Sequence, residues 1–141
     1  MKKEVKEECI FCKLANGQIP TNAIYEDEDF KVIMDVNPAS KGHCIILPKT
    51  HAANLLELPE EYCEKLLPVA KKCCKVLMEV LQCDGINVLQ NNGEAAGQTV
   101  FHLHVHLIPR YKGDDVNIKW TEHKAGTDIE ALAEKIRNGF S

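Results

Sequence analysis

The chain has 141 residues, 45% of them hydrophobic and 27% charged, with a formal net charge of −4. That size and balance fit one globular domain with a real core. The absence of any long basic block argues against a protein that coats duplex nucleic acid, which needs a cationic face for the phosphates. No stretch approaches the roughly 20 apolar residues of a membrane span.

The start, Met1-Lys-Lys-Glu-Val-Lys-Glu-Glu8, is polar and lacks the apolar core of an export signal. The seven cysteines are odd in number and four of them fall in one helical region. Reduced thiols in a cytoplasmic protein are therefore expected. Residues 10–16 read as a short helix stopped by Gly17 and released by Pro20. Phe30 to Met34 and Cys44 to Leu47 read as strands. The turn-rich Asn37-Pro-Ala-Ser-Lys-Gly42 between them is short enough for an antiparallel pair.

Pro59-Glu-Glu opens a long helix expected to run to about Gln82, because proline is tolerated in the first turn and acids there suit the dipole. Leu66, Ala70, Cys73, Leu77 and Leu81 share its inner face by helical spacing. Pro68 should kink or shift the helix. Cys63, Cys73 and Cys74 read as small packed residues rather than ligands. After a tight exit at Asp84-Gly85, residues 85–90 form a further strand. The small-residue loop Asn91-Asn-Gly-Glu-Ala-Ala-Gly-Gln-Thr99 follows it. Beyond Arg110 the chain is polar and irregular up to a capping-box pattern, Thr127-Asp-Ile-Glu130, and then a helix with an Ile129, Leu132, Ile136 stripe. Hairpin-type links around one long helix point to an α+β fold with an antiparallel sheet.

The residues that stand out are Phe101-His-Leu-His-Val-His-Leu-Ile-Pro109. Successive strand side chains alternate faces, so His102, His104 and His106 should line one face, adjacent members about 6.5–7 Å apart, over Leu103, Val105 and Leu107 on the other. A chance row of strand histidines is one reading. A metal shared by all three is awkward, since the outer two Cα atoms lie roughly 13 Å apart along the strand and zinc needs each nitrogen at about 2.0–2.1 Å. The third reading is nucleophilic or acid–base chemistry, because imidazole is largely neutral at pH 7 and attacks phosphorus. Gly93 and Gly97 in the preceding loop would let backbone N–H groups approach an anion, with Gln98 and Thr99 adding side-chain donors. Cys9-x-x-Cys12 is ambiguous alone. It could be a pair of exposed thiols, a redox pair (without the βαβ context such a pair usually has) or half of a zinc site.

His102-Leu-His-Val-His-Leu-Ile108 fits the pattern His-φ-His-φ-His-φ-φ, with φ hydrophobic, which is the signature of the histidine-triad (HIT) family. Cys9-Ile-Phe-Cys12, Ile33-Met-Asp-Val-Asn-Pro38, Gly42-His43, Pro48-Lys-Thr-His51 and Asn91-Asn-Gly…Gly97-Gln-Thr-Val-Phe101 resemble the Hint branch of its nucleotide-binding hydrolases. The likeness covers residues 9–111, the motif-bearing core of a single domain spanning 1–141, with 112–141 a polar extension.

The resemblance implies an antiparallel sheet of about five strands with one long and several shorter helices, the sheet continued across a homodimer. It implies hydrolysis of a nucleoside phosphoramidate of the adenosine 5′-monophosphoramidate type. His104 would be the nucleophile that carries the nucleotide, and His106 would meet the phosphate oxygens. Asn91, Gly97, Gln98 and Thr99 match the phosphate side, and Asp35 the carboxylate that takes the ribose hydroxyls. Phe11, Ile33 and Val36 match the walls of a purine pocket. His43 would support His104 from behind. Bacterial members place structural zinc on positions matching Cys9, Cys12, His51 and His102, a closed Cys2His2 set. No organic cofactor is implied. A dinucleoside polyphosphate hydrolase and a nucleotide-binding interaction module with little turnover remain as alternatives.

Overall fold

The computed structural model describes residues 2–126 and 128–140. In chain order these form α1 (Ile10–Ala15), β1 (Ala23–Glu26), β2 (Phe30–Met34), β3 (Cys44–Pro48), α2 (Glu60–Leu81), β4 (Gly85–Leu89), β5 (Val105–Arg110) and α3 (Ile129–Asn138). One five-stranded sheet, ordered β1-β2-β3-β5-β4, is antiparallel throughout. The α+β reading is thus correct. No helix among the described residues is long and apolar enough to cross a membrane.

The two faces of the sheet are divided by strand alternation. Val32, Ile46 and Val105 stand opposite one another across β2, β3 and β5. With Phe30, Cys44, Leu103 and Leu107 they pack against Tyr62, Leu66, Val69, Ala70, Cys73 and Leu77 of α2 in the main core. The expected inner face of α2 is therefore the buried one, and Leu81 packs at its margin. Cys63 and Cys74 pack there too. The helix assignment runs unbroken through Pro68. That proline is exposed, so the carbonyl it leaves without an N–H partner is on the solvent side. At its C-terminus α2 closes on Gln82 in the left-handed region, φ 53°, and the Asp84 N–H then bonds the Arg110 carbonyl at 2.8 Å.

The opposite face carries a second cluster of Ile33, Ile45 and Leu47 beneath Ala15, with Phe11 and Leu14 of α1 against it. Ile33, Ile45 and His106 are cross-strand partners in one row. The triad thus ends on the α1 side of the sheet, away from α2.

The histidine strand is shorter than its sequence suggests. Regular pairing starts at Val105, where β3 ends its overlap at Ile46. Upstream, the Leu103 N–H bonds the Ala52 carbonyl, at 2.7 Å, instead of a sheet neighbour. His102 and His104 therefore lie in an extended lead-in. The alternation survives, because Leu103, Val105 and Leu107 all reach the main core. β1 has no core-facing alternation, and its four residues are exposed or half-buried. The capping box falls on Thr127, outside the described residues. In α3 the Ile129, Leu132 and Ile136 stripe is 60%, 56% and 58% exposed.

Gly42 ends the β2–β3 turn at φ +90°, and a Cβ there would run into the Leu81 side chain and press on Pro109. Gly42→Ala should destabilise the fold by about 1–3 kcal/mol through the left-handed backbone alone. A urea unfolding midpoint unchanged from wild type would contradict this.

Candidate active site and metal centre

His102 is completely buried. Its Nε2 lies 3.0 Å from the Pro48 carbonyl, an acceptor only, so the ring proton sits on Nε2. Nδ1 then offers its lone pair to two thiols, Cys9 Sγ at 3.3 Å and Cys12 Sγ at 3.4 Å. His51 Nδ1 lies 3.4 Å from Cys12 Sγ. One donor from each of the four residues falls within 4.8 Å of every other. Tetrahedral zinc with Zn–S near 2.3 Å and Zn–N near 2.05 Å has S···N edges of about 3.6 Å, so the spacing fits such an ion closely.

Without a cation, burial pushes the Cys12 thiol up to about 11 and holds His102 down to about 4. A divalent ion would draw the thiol into its ligating anionic form, and a lowered His102 is already the neutral ligand. The Pro48 carbonyl orients His102, and the N–H groups of Lys6 and Cys12 point at Cys12 Sγ and Cys9 Sγ at 3.5 and 3.3 Å. Four such ligands would complete a tetrahedral shell with no open position for substrate, so the chemistry such an ion would supply is a structural tie.

His104 projects from the next outward position. Its Nδ1 lies 2.8 Å from the main-chain carbonyl of His102. A carbonyl cannot donate, so Nδ1 carries the proton and Nε2 keeps its lone pair. That Nε2 has no hydrogen-bond partner among the described residues. No buried side-chain nitrogen or oxygen among them lacks one, so the atom must reach solvent. The His104 ring stands edge-on to Phe11 at 4.9 Å and to His106 at 5.0 Å.

Phe11, Ile33, Asp35 and Val36 line one cavity of about 480 Å³. The apolar wall and the carboxylate expected from sequence are thus gathered in one place. Ile45, Leu14, Asn22 and Met34 also line it. Ile45 shares a cross-strand row with Ile33 and His106, a placement fixed only once the strands have paired. Leu14 of α1 and Asn22 of the segment before β1 carry no motif, and Met34, at the outer end of β2, sits within the Ile33–Pro38 motif between two of its lining residues.

His43 touches His106 rather than His104, with Nε2 to Nδ1 at 3.0 Å and Asp35 Oδ2 3.6 Å away. Its expected support of the nucleophile is therefore replaced by a contact one histidine further along. Burial, with smaller repulsion from His104 and His43, holds His106 down to about 4.

The loop before the triad differs from its sequence reading at Gln98. That side chain is buried. Its Oε1 accepts from the Gly93 N–H at 2.8 Å, and its Nε2 donates to the Ala53 and Val100 carbonyls at 2.6 and 3.0 Å. Even its main-chain N–H is taken, by the Gly93 carbonyl at 3.0 Å. Gln98 braces the loop from within and has no donor left for a phosphate. Gly97, at φ +101°, lies over the Asn91 amide, and Gly97 and Thr99 are exposed.

Residues 16–113 match the family described as HIT domain. Adenosine 5'-monophosphoramidase hnt1 of Schizosaccharomyces pombe is 38% identical over 130 residues, which cover 91% of this chain and 95% of that protein. The crystal structure of SMU.412c from Streptococcus mutans UA159 superposes with a TM-score of 0.91 at 39% identity, over 96% of this chain and 87% of that one. A zinc-bound histidine triad family protein from Mycobacterium smegmatis superposes with a TM-score of 0.74 at 34% identity, over 94% and 97%. Motif, fold and relatives agree over well more than half the sequence, and the chain belongs to the HIT family.

Proposed function

We propose that this protein hydrolyses nucleoside phosphoramidates of the adenosine 5′-monophosphoramidate type through a nucleotide held covalently on His104. The observation that carries the proposal is the bond from His104 Nδ1 to the His102 carbonyl, at 2.8 Å, which leaves an accessible lone pair on Nε2. The similarity to hnt1, named as a phosphoramidase, supports the substrate class.

The purine lies in the cavity against Phe11, Ile33 and Val36. Asp35 accepts from the ribose hydroxyls, which a carboxylate can do for both members of a cis-diol. His104 Nε2 attacks the α-phosphorus. The P–N bond to the leaving amine breaks, and the amine takes up a proton as it departs. His106 donates to a non-bridging oxygen while charge develops there, together with the Thr99 main-chain N–H and the Asn91 amide, whereas the Gly97 N–H is already taken by the Glu94 carbonyl at 2.9 Å. Gln98 holds that loop in shape. Water then attacks phosphorus, loses a proton, and the P–N bond to His104 breaks to release the nucleoside monophosphate. Two displacements leave the configuration at phosphorus unchanged overall.

Structural zinc on Cys9, Cys12, His51 and His102 is part of the same proposal. So is a homodimer continuing the sheet, for which β4 is an edge strand with Val88 exposed. All seven cysteines are unpaired, which suits a reducing compartment such as the cytoplasm.

His104→Ala should abolish turnover of adenosine phosphoramidates and remove the adenylylated species from quenched reactions in mass spectra. Substantial retained activity would refute the assignment. Running diadenosine polyphosphates alongside tests the leaving group, since the attacking atom is common to both. A higher kcat/KM for the polyphosphates would replace the proposed substrate.

Metal analysis of protein prepared without added zinc should give one equivalent per chain. Cys12→Ser should lose it and lower the melting temperature. Zinc-free wild type of undiminished stability would end the metal proposal.

The depressed His106 also fixes a pH dependence of stability. The unfolded chain takes up its proton near pH 6.5 and the folded one only near 4. Stability from this site is therefore full above about pH 6.5 and declines as pH falls toward 4. Urea midpoints between pH 7.5 and 4.5 should fall less steeply in His106→Gln than in wild type. Parallel slopes would contradict the burial argument.

A further inference from the structure

The hydrogen bonds around His43 settle where a proton sits two residues beyond the nucleophile. His43 is buried at the entrance to β3, 5% exposed. The Ala39 main-chain N–H donates to its Nδ1 at 2.9 Å. An amide N–H only gives a proton, so Nδ1 must offer a lone pair and neutral His43 carries its hydrogen on Nε2. Nε2 faces two acceptors, His106 Nδ1 at 3.0 Å and Asp35 Oδ2 at 3.6 Å. The shorter contact is within hydrogen-bond range and the longer is not. His106 Nδ1 is thus the acceptor, and its own hydrogen is displaced to Nε2.

Burial lowers both rings, which keeps them neutral at pH 7. His106 Nε2 has no partner among the described residues. Since none of their buried side-chain nitrogens or oxygens lacks a partner, that N–H opens outward.

We propose that His43, anchored by the Ala39 amide, is a positioning residue that locks His106 as a neutral Nε2–H donor toward the substrate's phosphate. The inference rests on the proposed reaction for its consequence, though not for the proton's location. The opposite tautomer would turn a lone pair toward an anionic oxygen and repel it. The lock also excludes His106 as a base for the hydrolytic water, because its one free nitrogen is already protonated. The turn Asn37–Gly42 therefore contributes to catalysis without touching the substrate. Its Ala39 N–H starts a relay, Ala39 to His43 to His106, that ends at the reacting group. Asp35, the expected ribose acceptor, lies against the same His43 nitrogen, so sugar and phosphate recognition meet at one imidazole.

The test is long-range proton–nitrogen NMR of the histidines in the ¹⁵N-labelled, zinc-loaded full chain at pH 7, with kinetics on an adenosine phosphoramidate. Wild type should show Nε2-protonated neutral rings for both His43 and His106. His43→Leu should spread His106 over two tautomers and lower kcat by roughly 10–100-fold with little change in KM, the usual cost of losing an outer-shell partner. His43→Gln, whose amide can donate to Nδ1, should restore the Nε2–H pattern and part of kcat. A wild-type His106 protonated on Nδ1 would overturn the proposal, as would an unaltered tautomer in His43→Leu. A second zinc equivalent accompanied by loss of the His43 Nε2–H signal would also overturn it, because Asp35, His43 and His106 would then be ligands. Those three donors lie within 4.8 Å of one another. If His43→Leu does not fold, the wild-type spectrum and the glutamine variant still decide. Wild type with the expected tautomers and no phosphoramidate turnover would refute the assigned reaction and leave the proton placement standing.

Discussion

One main-chain carbonyl, that of His102, fixes which nitrogen of His104 keeps a lone pair, and the proposed chemistry depends on it. If it did not accept from Nδ1, the imidazole would be free to place its hydrogen on either nitrogen, and the outward lone pair would be present only part of the time. The carbonyl is held in place because its residue is gripped on every side. The His102 ring donates to Pro48 at the end of β3. Its other nitrogen is turned to Cys9 and Cys12. The next residue, Leu103, is tied to Ala52 and fully buried in the core. A side chain of the Cys9, Cys12, His51, His102 cluster and the backbone atom that orients the His104 ring belong to the same residue, so the two sites are mechanically joined.

The dipeptide Ala52-Ala53 extends that joint. Ala52 accepts from the triad lead-in and Ala53 from the Gln98 amide. His51, just before them, belongs to the cluster with Cys9, Cys12 and His102. Three consecutive residues after β3 thus fix the triad, the loop ahead of it and the N-terminal segment. Two of the three are alanines, which pack without adding polar atoms and leave the backbone to make the contacts.

Which parts of this were legible in the sequence follows from what each part depends on. Period-2 and period-3.6 patterns are local, so the α2 core face and the inward Leu103, Val105 and Leu107 could be read directly. The true start of β5 could not, because it is decided by how far β3 overlaps it, a long-range quantity. Phe11, Ile33, Asp35 and Val36 were reached through resemblance, since they come from separate elements and meet only after folding. Gln98 was misread for a physical reason. Residue type shows that an amide has donors to offer, but only the folded loop shows that Gly93, Ala53 and Val100 consume them. His43 followed the same logic, its partner being set by cross-strand register, which pairs Ile45 with His106.

Phe11 and Cys12 are neighbours on the single short helix α1, and they face different tasks. Phe11 walls the cavity beside His104, while Cys12 faces His51 and His102. A helix turns about 100° per residue, so the two directions are locked at that angle by the backbone itself. Adding or removing one residue after Cys9 would therefore swing the aromatic wall and the Cys12 sulfur together. The length of this tract is under as tight a geometric constraint as its composition, and evolutionary change here should come by exchange of side chains and not by insertion.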